Sequence, residues 1–176
     1  KSVVDNNKII ISENPTMLLK SIKNEIEIKN TKLAHIKDGL AFTKLMYYVK
    51  TIHLHSESSE ISLTKLLEEY RKEQEGFVDI SFDTICAFKD HGAMMHYSAN
   101  EETNYKLKDS GLLLIDSGGH YLEGTTDITR TLAIGRITDT MKLHFTTVLK
   151  SVIALSEAVF LKGCKGTNLD ILAREP

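Results

Sequence analysis

The chain has 176 residues, a formal net charge of −2, 41% apolar and 26% charged side chains, the profile of one folded globular unit and not of a disordered segment. So small a charge gives no electrostatic case for nucleic acid or an anionic membrane surface as a partner. No apolar run approaches the ~20 residues of a membrane span, no secretory leader is expected, and Cys86 and Cys164 form no CxxC pair. A cytoplasmic protein with two reduced thiols is the expectation.

Residues 1–13 hold only a short strand-like stretch, Lys8–Ser12, and are read as the tail of a preceding domain. Residues 15–27 are expected to form a short helix, and a longer one is expected from Lys29 to about Thr51. In the longer helix Leu33, Ile36, Leu40, Ala41, Tyr47 and Tyr48 fall on one face. Phe42, Met46 and Val49 make the far side apolar too, so this helix is expected to be buried between layers. Its end carries His53 and His55, two apart and therefore unable to share a helical face; both read as solvated. Ser62 is the expected cap of a third helix, "SLTKLLEEYRKEQ", with Leu63, Leu66 and Leu67 inward. Its run "EEYRKEQE" reads as a solvated face.

The pattern then turns to β. "ISFDTICAFKDHGAMMHY" is rich in β-branched and aromatic residues and is expected to be a hairpin, with Lys89, Asp90, His91 and Gly92 at its turn. "GLLLIDSGGHYLEGTTDITRTLAIG" is expected to be a second hairpin, bending within Tyr121–Gly124 and flanked by His120. A helix over about Asp139–Leu161 follows, with Phe145, Val148, Val152, Leu155 and Val159 on one face and Gly163 as its stop. A last helix is expected with Thr167 as its N-cap and Asp170 favourable near its N-terminus. Strands joined by short turns imply antiparallel sheets, and the helices must cover one face, so the fold class is α+β.

The second hairpin carries Asp116 and Asp127 eleven residues apart. A bend centred between Tyr121 and Leu122 sets them opposite each other; a slightly later bend offsets them by a residue or two. Alternation puts Asp127, Thr129 and Thr131 on one face and Ile128, Leu132 and Ile134 on the other. Two ionised carboxylates held close need a proton, a cation or a metal ion. Hard divalent ions take oxygen ligands, and a pair of ions roughly 3.5–4 Å apart is a recurrent hydrolytic design. The spacing also allows one exposed turn aspartate and one strand-end aspartate, with Arg130 as an ion-pair partner although alternation points it to the other face.

These segments resemble a known family. "LLIDSGGHYLEGTTDITRTLAIG" is similar to the first metal-ligand segment of the aminopeptidase P (Xaa-Pro aminopeptidase) family, which has the pita-bread fold. "GAMMHYSANEETN" resembles the family's preceding strand, "KGTNLDILAR" its following helix start, and "KNEIEIKNTKLAHIKDGLAFTKLMYYV" its first long helix. The resemblance implies that Asp116 and Asp127 are metal ligands, Asp127 in a bridging position. It implies that His96 contacts substrate and handles a proton, and that Thr129 stands near the ligands. It further implies two divalent ions, manganese first among them. A hydroxide that they activate would attack the bond before a proline in second position of a peptide substrate.

Five protein ligands belong to that pattern, and two match here. A later histidine and two glutamates have no counterpart before Pro176; Glu157 and Glu175 stand outside the matching context. Residues 14–176 are therefore expected to be the N-terminal half of a pita-bread catalytic domain, inactive alone. Its uncovered apolar surface is expected to make a homo-oligomer. The competing reading is a pita-bread homologue without catalysis that serves as a protein-binding module.

Overall fold

The computed structural model describes residues 8–51, 57–108 and 110–176. His53 and His55, and the first seven residues of the expected tail, lie outside these. Within the tail, Ile9–Ser12 form no strand, and Ile10 and Ile11 are exposed.

Helix α1 spans Pro15–Ser21, with Pro15 in its first turn and the Asn14 side chain accepting from the Thr16 amide at 3.0 Å. It ends short of the expected boundary because Asn24 starts a new helix. The Glu27 amide donates to Asn24 Oδ1 and the Asn24 amide to Glu27 Oε2, both at 2.9 Å. Helix α2 therefore runs over Glu25–Thr51. It buries Ala34, Asp38, Ala41, Phe42, Leu45 and Val49. The face expected inward is largely outward: Leu33, Ile36, Leu40 and Tyr47 are 41–69% exposed. The helix is apolar on both sides, so periodicity alone does not choose a face. The small Ala34 and Ala41 and the pairing of Asp38 decide it.

Helix α3 spans Glu60–Lys72 and is capped by Ser59, not Ser62. Ser62 is the reciprocal partner three residues in: its amide donates to Ser59 Oγ at 3.2 Å, and the Ser59 amide donates to Ser62 Oγ at 2.8 Å. Leu63 and Leu67 are buried, as is Arg71 one turn further on. The "solvated" run thus contains a fully buried cation.

Among the described residues six strands make two three-stranded antiparallel sheets. Strands β1 (Phe77–Ile80), β4 (Gly119–Tyr121) and β5 (Gly124–Thr125) form one in the order β1-β4-β5. Strands β2 (Ile85–Phe88), β3 (Gly111–Ser117) and β6 (Ile128–Ile134) form the other in the order β2-β3-β6. The first expected hairpin does not exist. After β2 the chain enters a 3-10 turn, Lys89–Ala93, and no strand returns; β2 pairs with β3 instead, Cys86 opposite Ile115 and Phe88 opposite Leu113. The chain that follows is tied to α3 instead. Glu60 accepts from the Tyr97 hydroxyl and the Tyr105 amide, both at 2.9 Å.

The second hairpin forms as expected, β3 against β6, tipped by β4 and β5 with Leu122 and Glu123 at the bend. The core lies between the β2-β3-β6 sheet and helices α2 and α3. It contains Phe42, Leu45, Val49, Leu63, Leu67, Phe88, Leu113, Ile115, Leu132 and Ile134.

Helix α4 spans Asp139–Glu157, capped by the Thr138 side chain, and buries no residue. Its expected inward face is open: Val148, Val152 and Val159 are 63%, 54% and 100% exposed. Helix α5, Gly166–Arg174, packs on α4. Its cap is Lys165 and not Thr167, with the Lys165 amide donating to Asn168 Oδ1 at 3.2 Å.

Candidate metal centre

Asp116 stands in β3 opposite Thr129 of β6. Asp127 precedes β6 and lies two residues before Thr129, so strand alternation puts it on the same face, one pleat along from Asp116. The two carboxylates are diagonal neighbours, not a facing pair, because the bend falls at Leu122–Glu123. Thr129 Oγ1 donates to Asp116 Oδ1 at 2.8 Å and orients that carboxylate. Asp116 is half-buried and Asp127 exposed. Arg130 points away from the pair and donates from Nη1 to the Thr129 carbonyl at 2.7 Å. Among the described residues neither aspartate has an ion-pair partner, so the reading with Arg130 as counter-ion finds no support.

The hairpin is tied down between the two aspartates. At Gly118 a Cβ would stand 2.0 Å from the Thr126 carbonyl oxygen and 2.3 Å from Ser81 Oγ, so only glycine fits. Ser81 Oγ donates to that carbonyl at 3.0 Å, and Thr126 Oγ1 accepts from the Gly119 amide at 2.9 Å. Below Asp116, Arg71 Nη2 donates to Ser117 Oγ at 2.9 Å. Arg71 also pairs with Asp38, Nε to Oδ1 at 2.6 Å, and both side chains are fully buried. The Tyr121 hydroxyl donates to the same Asp38 Oδ1 at 2.9 Å. Burial, with the Asp38 charge beside it, pushes the Tyr121 hydroxyl far above its ordinary range.

His96 is exposed, with a left-handed backbone at φ +55°, on the segment after the 3-10 turn. Its neighbour Tyr97 is buried against Glu60. No hydrogen bond or ion pair joins His96 to the aspartates, and among the described residues no third His, Cys, Asp or Glu joins them in a metal-holding group. The structure joins Asp116 to Thr129, strand alternation sets Asp127 on the same face, and His96 stands on a separate segment. His120 sits at the hairpin tip, its ring nitrogen 2.8 Å from Thr125 Oγ1.

His91, expected as a simple turn residue, is buried. Its Nδ1 is 2.8 Å from Glu60 Oε1, and its ring stacks on Tyr105 at 3.7 Å between centroids. Sequence reasoning missed this cluster and the Arg71 one. The available signal for Arg71 was its place on the Leu63–Leu67 stripe. Both cysteines are free thiols.

The chemistry of the donors fits part of a site for hard divalent ions. Two carboxylates share a face, one is oriented by a hydroxyl, and among the described residues no cation neutralises them. Two carboxylates alone do not complete the coordination of such an ion.

The profile of metallopeptidase family M24 matches residues 29–176. The chain belongs to this metallopeptidase family. It is similar to a protein named probable Xaa-Pro aminopeptidase P of Paracoccidioides brasiliensis, 37% identical over 171 residues, covering 96% of this chain and 28% of that one. It is similar to the Xaa-Pro aminopeptidase ApepP of Drosophila melanogaster, 38% identical over 162 residues, 92% of this chain and 26% of that one. Among solved structures it matches a Caenorhabditis elegans X-prolyl aminopeptidase at TM-score 0.81 and 35% identity, covering 92% of this chain and 27% of that one. That structure is described as a cytosolic enzyme with a di-nuclear active site. A prolidase from Pyrococcus furiosus matches at TM-score 0.73 and 25% identity, over 89% of this chain and 44% of that one. The fold is thus half of a pita-bread fold, and the chain spans about a quarter of the length of the curated relatives it matches.

Proposed function

We propose that this chain is the N-terminal half, residues 14–176, of the catalytic domain of a metal-dependent Xaa-Pro aminopeptidase. Its substrate is a peptide with proline in second position. Asp116 and Asp127 contribute carboxylate ligands to two divalent ions, manganese the favoured occupant. The observation that carries this reading is a pair of carboxylates on one sheet face with no counter-ion among the described residues, inside a segment matched by a metallopeptidase family. When bound, such ions supply Lewis acidity and a nucleophile at neutral pH.

The chain's own part is to hold the oxygen donors in place. Thr129 fixes the Asp116 carboxylate through Oδ1, and the Gly118 turn keeps Asp127 one pleat away. His96 is exposed and free to meet a peptide bound across that face. The remaining ligands come from outside the described residues, so the 176-residue chain alone does not turn over. The cytosolic description of the Caenorhabditis elegans relative supports a cytoplasmic setting, and the open α4 face supports association with a second copy.

The test is hydrolysis of paired peptides, one with proline and one with alanine in second position, with added manganese. A protein containing this chain and the following half of the domain should cleave only the proline peptide. The 176-residue chain should cleave neither. Cleavage of neither by the longer protein, with metal bound, would favour the non-catalytic binding module.

A further inference from the structure

Between Asp116 and Asp127 the chain leaves one sheet and enters the other, and buried polar groups fix that passage from below. Arg71 is fully buried, held to Asp38 through Nε at 2.6 Å and Nη2 at 3.3 Å. Nη2 also donates to Ser117 Oγ at 2.9 Å. Its third nitrogen, Nη1, is buried with no acceptor. A guanidinium left one group short is a poor means of stabilising a core, since apolar residues of similar volume often do as well or better. What it supplies is a fixed point. Ser117 follows Asp116 directly and stands opposite Ile128, which follows Asp127. One hydroxyl therefore anchors the backbone beside both carboxylates.

Resting on the reading of Asp116 and Asp127 as metal ligands, the geometry points to Arg71 as a positioning residue for that pair, acting through Ser117. Its guanidinium holds Ser117 from the helix side while Thr129 orients Asp116 from the sheet face. The two carboxylates keep their spacing before any ion arrives. Such outer contacts orient ligands that would otherwise reorganise on binding.

The experiment uses the whole 176-residue chain and Mn2+ alone as probe. Paramagnetic broadening of the amide signals around Asp116 and Asp127 gives the binding midpoint. Ser117→Ala removes the acceptor and keeps the Asp38–Arg71 pair; it should weaken binding by roughly tenfold, as for outer-shell groups at other metal sites. Tyr121→Phe removes a buried hydrogen bond to the same Asp38 without touching Ser117, and its midpoint should stay within about twofold of the parent. Thermal unfolding of both variants, followed in parallel, should show comparable losses. Unchanged binding by Ser117→Ala, or equal weakening by Tyr121→Phe, overturns the positioning role. Asp116→Asn separates the two claims. If it abolishes binding while Ser117→Ala does not weaken it, only the role of Arg71 fails; if it leaves binding unchanged, the ligand reading fails with it.

Discussion

Glu60 is the most heavily used carboxylate in the described residues, and replacing it with glutamine has a calculable cost. Oε1 accepts from the Phe88 amide at 2.7 Å and lies 2.8 Å from His91 Nδ1; Oε2 accepts from the Tyr97 hydroxyl and the Tyr105 amide, both at 2.9 Å. A glutamine amide keeps one oxygen and presents an NH2 at the other position. The Tyr97 hydroxyl can rotate and the His91 ring can change tautomer, but a backbone N–H cannot. Either orientation therefore leaves one of the two backbone N–H groups, Phe88 or Tyr105, facing another donor. An orphaned buried donor costs about 1–3 kcal/mol, and the remaining bonds lose their charge assistance. Glu60→Gln should lose about 3 kcal/mol in urea unfolding followed by circular dichroism. Its melting temperature should fall by roughly 6–12 °C. Glu69→Gln, exposed on the same helix, should stay within about 0.5 kcal/mol of the parent. A loss below about 1 kcal/mol for Glu60→Gln would refute the claim that this carboxylate organises the segment carrying His96.

The two thiols should separate cleanly. Cys86 is buried, and burial holds its thiol far above the ordinary value of 9.0, so only Cys164 should react with a thiol reagent at pH 8 until the chain is unfolded. Two equally fast thiols in the native chain would contradict the packing. Cys86 and Tyr121 both have folded pKa values raised above their ordinary 9.0 and 10.0. Their contribution to stability is therefore complete below about pH 9 and declines as pH climbs above the unfolded values. Stability measured by urea unfolding should fall along this alkaline limb, and Cys86→Ala should make the fall shallower; an unchanged slope would count against the burial of that thiol.

The parts of this molecule governed by local rules were readable from its residues. The β3–β6 hairpin declares itself through alternation and a glycine-bearing bend, and the same alternation underlies the common face of Asp116 and Thr129. The α+β order was readable for the same reason. What was not readable depends on tertiary choice. Helix α2 is apolar on both sides, and the face it buries is set by Asp38 meeting Arg71, residues 33 positions apart. Arg71 reads as part of a solvated run and His91 as a turn residue because their partners, Asp38 and Glu60, are remote in sequence. The false hairpin after β2 has the right composition for a strand, but β2 pairs with β3, and the segment after it is tied to α3 through Glu60. Helix α4 reads as inward from its stripe, yet its apolar face is open. The diagonal offset of the two aspartates turned on where the bend fell, which a bend region of four residues left open.

Manganese soaked into a crystal of the chain and located by anomalous scattering puts the pair of aspartates to the question. The anomalous peak should lie against the carboxylates of Asp116 and Asp127, and Asp127→Asn should remove it. Peaks only at other acidic positions, such as Glu68 and Glu69 on α3, with none at the Asp116–Asp127 face, would contradict the assignment of that face as half of a metallopeptidase centre.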